Sequence, residues 1–449
     1  MPTSRTIDVQ DFINRHGVSG FQIRIVVLCF LVVAIDGFDT AAIGYIAPAL
    51  RAQWQVSQAQ LAPLFGAGLL GLMIGAFLFG PLSDRIGRKA MLIVTTAFFG
   101  LASLASAWST SIEMLTVLRF VTGLGLGGAM PNAITLTSEY CPEARRSFLT
   151  MAMFCGFTVG SALGGFAAAH LIADHGWTSV LVLGGVLPLA LLPLLALGLP
   201  ESVRFLVLRQ AAPERIARLL ARIAPHENLT GASFTGIAAR KGSPIGQLFQ
   251  PGLVAGTLCL WLTFFMSLLI FYLLSSWLPT IISSAGLTLK QASLVTVMLA
   301  TGGTVGGLVL GALMDRANPH AVLGLSYLGA AGFVALIGSA TGSVVLLAVA
   351  VFGAGFCVAG SQIGINALAA STYPTASRAT GVSWANAVGR IGSVVGSMTG
   401  ASLIGLGLGL PATFGVVAVP ALVAAVGITL KGRLGTPALP GATPAVQAS

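Results

Sequence analysis

Gly80-Pro-Leu-Ser-Asp84-Arg85-Ile-Gly87-Arg88-Lys89 decides the architecture of this chain. It lies between two apolar runs, near 60–81 and 90–108, and a helix needs about 20 apolar residues to cross a bilayer. The stretch therefore reads as a tight loop at a membrane surface, joining two spanning helices. Asp84 and Arg88 stand four residues apart and can pair, or Asp84 can cap the next helix. A weaker copy, Gly311-Ala-Leu-Met-Asp315-Arg316, follows another apolar run 231 residues later. Pro142 and Arg146 recur as Pro374 and Arg378, and Gly160-Ser-x-x-Gly164 recurs as Gly392-Ser-x-x-Gly396, each 232 residues later. One near-constant offset over loops and helices marks a duplicated chain. With its glycines and its copy, the loop reads as a latch between helix bundles, formed by Asp84, Arg85, Gly87, Arg88, Asp315 and Arg316.

Composition agrees. Of 449 residues, 55% are hydrophobic and 8% charged, against about 25% charged in soluble domains. A soluble surface cannot be built from so few charges, because it would aggregate. Further apolar runs lie near 25–47, 112–136, 147–170 and 178–199, then 252–279, 291–313, 320–339, 343–370, 379–405 and 411–430. The predicted fold is an all-α integral membrane protein of twelve transmembrane helices in two six-helix pseudo-repeats. The expected organisation is a cytoplasmic N-terminal tail over 1–24, helix bundles over 25–199 and 251–430, a cytoplasmic linker over 200–250 and a disordered cytoplasmic tail over 431–449. The linker is expected to be helical around Glu214–Ile223. With both termini inside, nineteen of the 23 basic residues fall in inner segments, which is the bias that orients membrane proteins.

The same scatter of basic residues argues against nucleic acid as the partner of a chain with net charge +10. The five cysteines have neither metal nor disulfide spacing and read as packing residues. Gly66-Ala-Gly68-Leu-Leu-Gly71 spells a dinucleotide fingerprint, but it sits inside an apolar helix with no strand before it. The histidines lie at ends or in loops without metal spacing. A nucleotide-binding phosphate loop is missing from the sequence, so no cofactor is expected.

Charges inside the spans carry the functional reading. Placing one at a helix centre costs roughly 2.5–3.5 kcal/mol by insertion scales. Asp36 and Asp39 lie one turn apart in the first span, Arg119 lies in the fourth and Arg390 in the eleventh. With 1.5 Å rise per residue, Asp39 stands ~4.5 Å outward of its span's centre and Arg119 ~7.5 Å outward of its own. Near-equal depth predicts an Asp39–Arg119 ion pair, broken when the carboxylate takes a proton. The duplicate position of Arg390 is Thr158, so this arginine is no relic of the repeat. Its planar fork suits a carboxylate, with pairing to Asp36 as the alternative. Asn132, Phe157, Tyr272, Gln362, Asn366, Trp384 and Asn386 are candidates to stack on or hydrogen-bond a bound solute, joined by Phe38 and Phe265.

The loop, its copy and the six-plus-six layout resemble the major facilitator superfamily over essentially the whole chain. Within it, Asp36-Gly37-Phe38-Asp39-Thr40, Arg119-Phe-x-Thr-Gly-Leu-Gly-x-Gly-Gly-Ala-Met-Pro131-Asn132 and Gly389-Arg390-x-Gly-Ser resemble the aromatic acid:proton symporter family. This resemblance implies a non-enzymatic, proton-coupled symporter that imports benzoate- or hydroxybenzoate-type acids by alternating access. The expected setting is a bacterial inner membrane, with the proton gradient as drive, the lipid bilayer as surroundings and a monomer as the working unit. Asp36, Asp39 and Arg119 are then the proton-coupling residues and Arg390 the anion-binding residue. A facilitator of non-aromatic acids or sugars, and a proton-antiport efflux pump, remain the alternatives.

Overall fold

The structure is a computed structural model that describes residues 6–229, 231–235, 245–249, 253–373 and 378–434. It opens with β1 (Thr6–Asp8) and α1 (Val9–Arg15). Six long helices follow: α2 (Gly20–Trp54), α3 (Gln58–Ile86), α4 (Arg88–Ser106), α5 (Ile112–Tyr140), α6 (Glu143–His175) and α7 (Thr178–Gly198). The connecting segment holds α8 (Val203–Leu208), α9 (Pro213–Leu220), β2 (Ser233–Thr235) and α10 (Ile245–Leu248). Six more long helices complete the chain: α11 (Val254–Ser284), α12 (Leu289–Met314), α13 (Pro319–Ser339), α14 (Val344–Thr372), α15 (Arg378–Gly405) and α16 (Leu410–Leu434). Twelve of these helices are long and apolar enough to span a membrane, and the chain is a multi-pass membrane protein.

Local signals start them where expected. Ser19-x-x-Gln22, Ser57-x-x-Gln60 and Thr288-x-x-Gln291 each form a capping box, in which hydroxyl and amide satisfy each other's exposed backbone donors. Several helices extend beyond the apolar runs, α2 ending at Trp54 rather than near 47, because a helix continues past the hydrocarbon until a terminator stops it. Here Gln55 adopts φ 53° and closes α2.

Glycines show the duplication in three dimensions. A Cβ on Gly71 or Gly75 of α3 would strike the backbone of Phe120 and Leu124 on α5; Gly302 and Gly306 of α12 meet Phe352 and Phe356 on α14 in the same way. Gly160 of α6 lies on Ala34 of α2 as Gly392 of α15 lies on Phe265 of α11. Such close backbone approach is how helices associate where water supplies no drive between them.

Packing between the halves is asymmetric. One core joins them, running from Tyr45, Phe65 and Leu115 in the first half to Trp277, Val297 and Leu347 in the second. Phe65 meets Trp277 edge-on with ring centroids 4.9 Å apart. These residues lie toward the face opposite the described chain ends. On the face that carries the ends and the connecting segment the halves have separate cores, one around Leu92, Leu136 and Leu195 and the other around Phe264, Tyr327 and Ile428. The cleft between halves therefore opens on the face of the chain ends.

The region over 1–24 is more than a tail. Thr6–Asp8 pairs in parallel with Ser233–Thr235, and Ile7, Phe12 and Ile13 join the core of the first half. In the connecting segment the helix begins at Pro213 and ends at Leu220, shorter than Glu214–Ile223 suggested, with turns following. Pro374 lies outside the described residues, as do residues 435–449, read above as part of a disordered tail, and the side chain of Arg378.

Candidate functional site

Three helices, α2, α5 and α15, bring the intramembrane charges together. Asp39 of α2 and Arg119 of α5 are almost fully buried and paired, with Nη1 donating to Oδ2 at 3.0 Å and to Oδ1 at 3.1 Å. Ser103 of α4 donates to Asp39 Oδ1 at 2.5 Å. The second guanidinium nitrogen donates to Ser106 Oγ at 2.9 Å and Thr122 Oγ1 at 3.1 Å. A buried ion pair persists when further hydrogen bonds replace the lost water, and three hydroxyls supply them here. A cavity of about 30 Å³ adjoins the pair, lined among others by Thr40, Phe65, Gly68 and Leu72. That is room for one or two waters, each needing roughly 10–15 Å³ by this measure.

Asp36 shares a helix face with Asp39 but not its partners. It is fully buried, its Oδ1 accepts from Thr40 Oγ1 at 3.1 Å, and its Oδ2 has no hydrogen-bond partner among the described residues. Its opposite charge is Arg390 of α15, across the boundary between halves. Arg390 donates to Tyr272 Oη of α11 at 3.3 Å and reaches Met130 Sδ of α5 at 3.7 Å. These are weak uses of a group with five donors. The arginine therefore stands beside a cleft with most of its hydrogen-bonding capacity unspent.

The other candidates divide. Tyr272 belongs to this cluster. Asn366 and Asn386 link α14 to α15, Nδ2 to Oδ1 at 3.1 Å. The carbonyl oxygen of the Gln362 side chain is buried without a partner among the described residues. Asn132 turns back to the Gly128 carbonyl of its own helix at 2.7 Å. Phe157 is half-buried against the core of the first half, while its backbone presses on Gly37. Phe38 is buried, and a Cβ on Gly184 of α7 would touch its ring. Trp384 is 40% exposed and stacks on Trp261 with centroids 5.9 Å apart, a second aromatic surface.

The charged stretch expected to be a tight loop is helical except at Gly87, with Asp84 and Arg85 ending α3 and Arg88 opening α4, and it holds the first half to the connecting segment. Arg88 pairs with Asp84 at 2.7 Å. Glu201 caps α4, its Oε1 accepting the backbone N–H of Arg88 at 2.8 Å and of Lys89 at 3.1 Å. Gly87 has φ 110°, and a Cβ there would collide with the Glu201 carboxylate. The Arg85 carbonyl accepts from Arg209 at 2.7 Å. Asp315 and Arg316 are exposed. Among the described residues no hydrogen bond or ion pair of this loop crosses to the second half, because the cleft is open at this level. Glu201 was not among the residues singled out from sequence; its signal was a carboxylate just past the sixth span, within reach of a helix start.

Two six-helix repeats enclosing a charged cleft define a membrane transporter, not an enzyme. A profile described as Major Facilitator Superfamily matches residues 29–397 and 260–448. The 4-hydroxybenzoate transporter PcaK of Pseudomonas aeruginosa is 48% identical over 96% of this chain and 97% of its own. The gallate transporter of Pseudomonas putida is 45% identical over 98% and 99%. Among solved structures, the inward-open conformation of the xylose transporter XylE from E. coli superposes with a TM-score of 0.73 at 19% identity, covering 91% of this chain and 95% of that one; this likeness concerns the fold. The chain belongs to the major facilitator superfamily and, within it, to the aromatic acid transporter family.

Proposed function

We propose that this chain imports small aromatic carboxylates of the benzoate or hydroxybenzoate type together with protons, by alternating access, across a bacterial inner membrane with both termini in the cytoplasm. The observation that carries the reading is Arg390, held by Tyr272 at the boundary between halves with donors to spare. Such a guanidinium suits a carboxylate through two parallel hydrogen bonds. The names of the relatives favour an aromatic acid.

Electrostatics favours proton coupling. Bringing one negative charge into a negative interior costs about 2.3 kcal/mol per 100 mV. One accompanying proton cancels that cost and adds the pH gradient as drive. Asp36 or Asp39 can take the proton, Asp39 by releasing Arg119 from its pair. The one-sided core supports alternating access, in which rocking the halves closes the cleft on the face of the chain ends while parting the Phe65–Trp277 side. The Asp84–Arg88 loop and its copy at Asp315–Arg316 then latch the closed form. No cofactor takes part, and one chain suffices.

The test is uptake of labelled 4-hydroxybenzoate into proteoliposomes carrying the purified protein. An imposed inward proton gradient should concentrate the label, and Asp39→Asn should abolish concentration while keeping solute exchange at equal pH. Uptake indifferent to the gradient would remove proton coupling, and equal uptake of sugars or aliphatic acids would remove the aromatic assignment.

A further inference from the structure

A second cavity lies outside the central cleft. It measures about 350 Å³ and is lined by Lys89 of α4, Leu197 at the end of α7, Pro200 and Glu201 beyond it, and Arg215, Arg218 and Arg222 on and just after α9. This volume falls within the roughly 300–1,000 Å³ usual for small-molecule sites. Four cations thus surround one space with a single acid. That acid is already engaged, since Glu201 Oε1 accepts three backbone N–H groups, from Arg88, Lys89 and Ser202.

The cations keep donors free. Lys89 Nζ spends one hydrogen bond, on the Ala196 carbonyl at 2.7 Å. Arg218 uses only Nε, on the Glu214 carbonyl at 3.3 Å. The Arg222 guanidinium sits with its carbon over the Phe21 ring, 4.1 Å from the centroid, and makes no hydrogen bond or ion pair among the described residues. Arg215 is exposed, and its guanidinium has no hydrogen bond or ion pair among the described residues. Holding four like charges around one space raises their energy unless an anion joins them.

Position indicates the anion's source. α9 is a short amphipathic helix with Ile216 and Leu220 buried and its arginines outward. Beside it, the last turns of α7 present Leu194 and Leu197, 56% and 86% exposed, at the level where a spanning helix leaves the hydrocarbon. An apolar ridge running up to a cationic cavity matches acyl chains joined to a charged headgroup, and basic pockets at the inner ends of spanning helices suit anionic lipids.

We propose that this cavity is a binding site for a phosphate-bearing anion, supplied by the headgroup of an anionic phospholipid whose chains lie along Leu194 and Leu197. The site is separate from the transport cleft and does not depend on which solute is carried. It also touches the loop of Asp84 and Arg88 through Lys89 and Glu201, so an occupied site stiffens the junction of the first half with the connecting segment.

The test titrates phosphatidylglycerol into the delipidated full-length protein in neutral detergent, read by native mass spectrometry and by the shift in Tm. Parallel arms use phosphatidylcholine and inorganic phosphate. Phosphatidylglycerol should bind and raise Tm, and phosphatidylcholine should do neither. At about 1 kcal/mol per basic residue near a lipid surface, the triple variant Arg215→Gln, Arg218→Gln, Arg222→Gln should bind phosphatidylglycerol about 100-fold more weakly. The double variant Arg51→Gln, Lys290→Gln removes cations elsewhere and should bind as the parent does. Since the three arginines are exposed, the elution volume should match the parent, and unliganded Tm should fall only slightly, by the lost Arg222 contact with Phe21. Equal binding by parent and triple variant, or equal binding of both lipids, overturns the proposal. A Tm shift reproduced by inorganic phosphate alone overturns the lipid as source.

Discussion

The two halves share a scaffold and differ in charge. The glycine contacts fix which positions correspond: Gly75 and Leu124 match Gly306 and Phe356, while Ala34 matches Phe265. On that register Asp39 corresponds to Ile270 and Arg119 to Val351, both fully buried. The first half thus carries a hydrogen-bonded ion pair where the second carries two aliphatic side chains. Conversely Arg390 corresponds to Thr158, whose hydroxyl accepts from Thr304 across the halves at 2.6 Å. Packing alone is solved at both places without charge, so the charges in the first half and on Arg390 answer a demand other than folding. The matching glycine contacts also show that the scaffold tolerates either solution.

Exchanging residues between equivalent positions tests this. Arg119→Val alone leaves Asp39 buried and unpaired and should cost about 3–5 kcal/mol of stability, read as a fall in Tm of the purified protein. Asp39→Ile with Arg119→Val copies the second half. That double variant should recover the parent's stability or exceed it, because aliphatic replacement of a buried pair is often neutral or stabilising, yet it should no longer concentrate substrate. A double variant as unstable as the single would mean the two sites are not structurally equivalent.

The reciprocal exchange, Arg390→Thr, removes charge-assisted hydrogen bonds worth about 1.5–3 kcal/mol. Affinity for aromatic acids should fall roughly ten- to hundred-fold, while neutral aromatic amides bind as before. Equal loss for both would move the anion site elsewhere. Next in size, Gly71→Ala and Gly302→Ala should destabilise alike, by about 1–3 kcal/mol each, since their Cβ atoms meet the same backbone feature. Unequal costs would show that one half is more compliant. The smallest effect belongs to a feature without a duplicate: Glu201→Gln weakens the cap of α4 and should cost about 1 kcal/mol, with proton-driven uptake retained.

Legibility in the sequence followed the size of the energies. A charge in hydrocarbon is costly enough that its position carries information, and counting residues along two antiparallel helices put Asp39 and Arg119 at one depth; the structure has them 3.0 Å apart. The duplication was visible because loops and glycines repeat at fixed offset. Small hydroxyls were invisible by the same logic. Ser103, Ser106 and Thr122 cost little in a helix, where they can return to a carbonyl one turn back, so nothing marked them as partners of the ion pair. Gln362 and Asn366 lie one turn apart and look alike, but only Asn366 bonds to Asn386, a choice set by tertiary geometry. Pairing over three residues, as between β1 and β2, leaves almost no periodic trace.

That short ladder has a consequence for biosynthesis. Thr6 and Ser233, bonded through their hydroxyls at 3.1 Å, are 227 residues apart. At about 5–20 residues per second of synthesis, the leading strand emerges some ten to fifty seconds before its mate. Through that interval six hydrophobic helices must enter the bilayer while the strand's edge waits open. Closing the ladder is thus among the last events of assembling the first bundle.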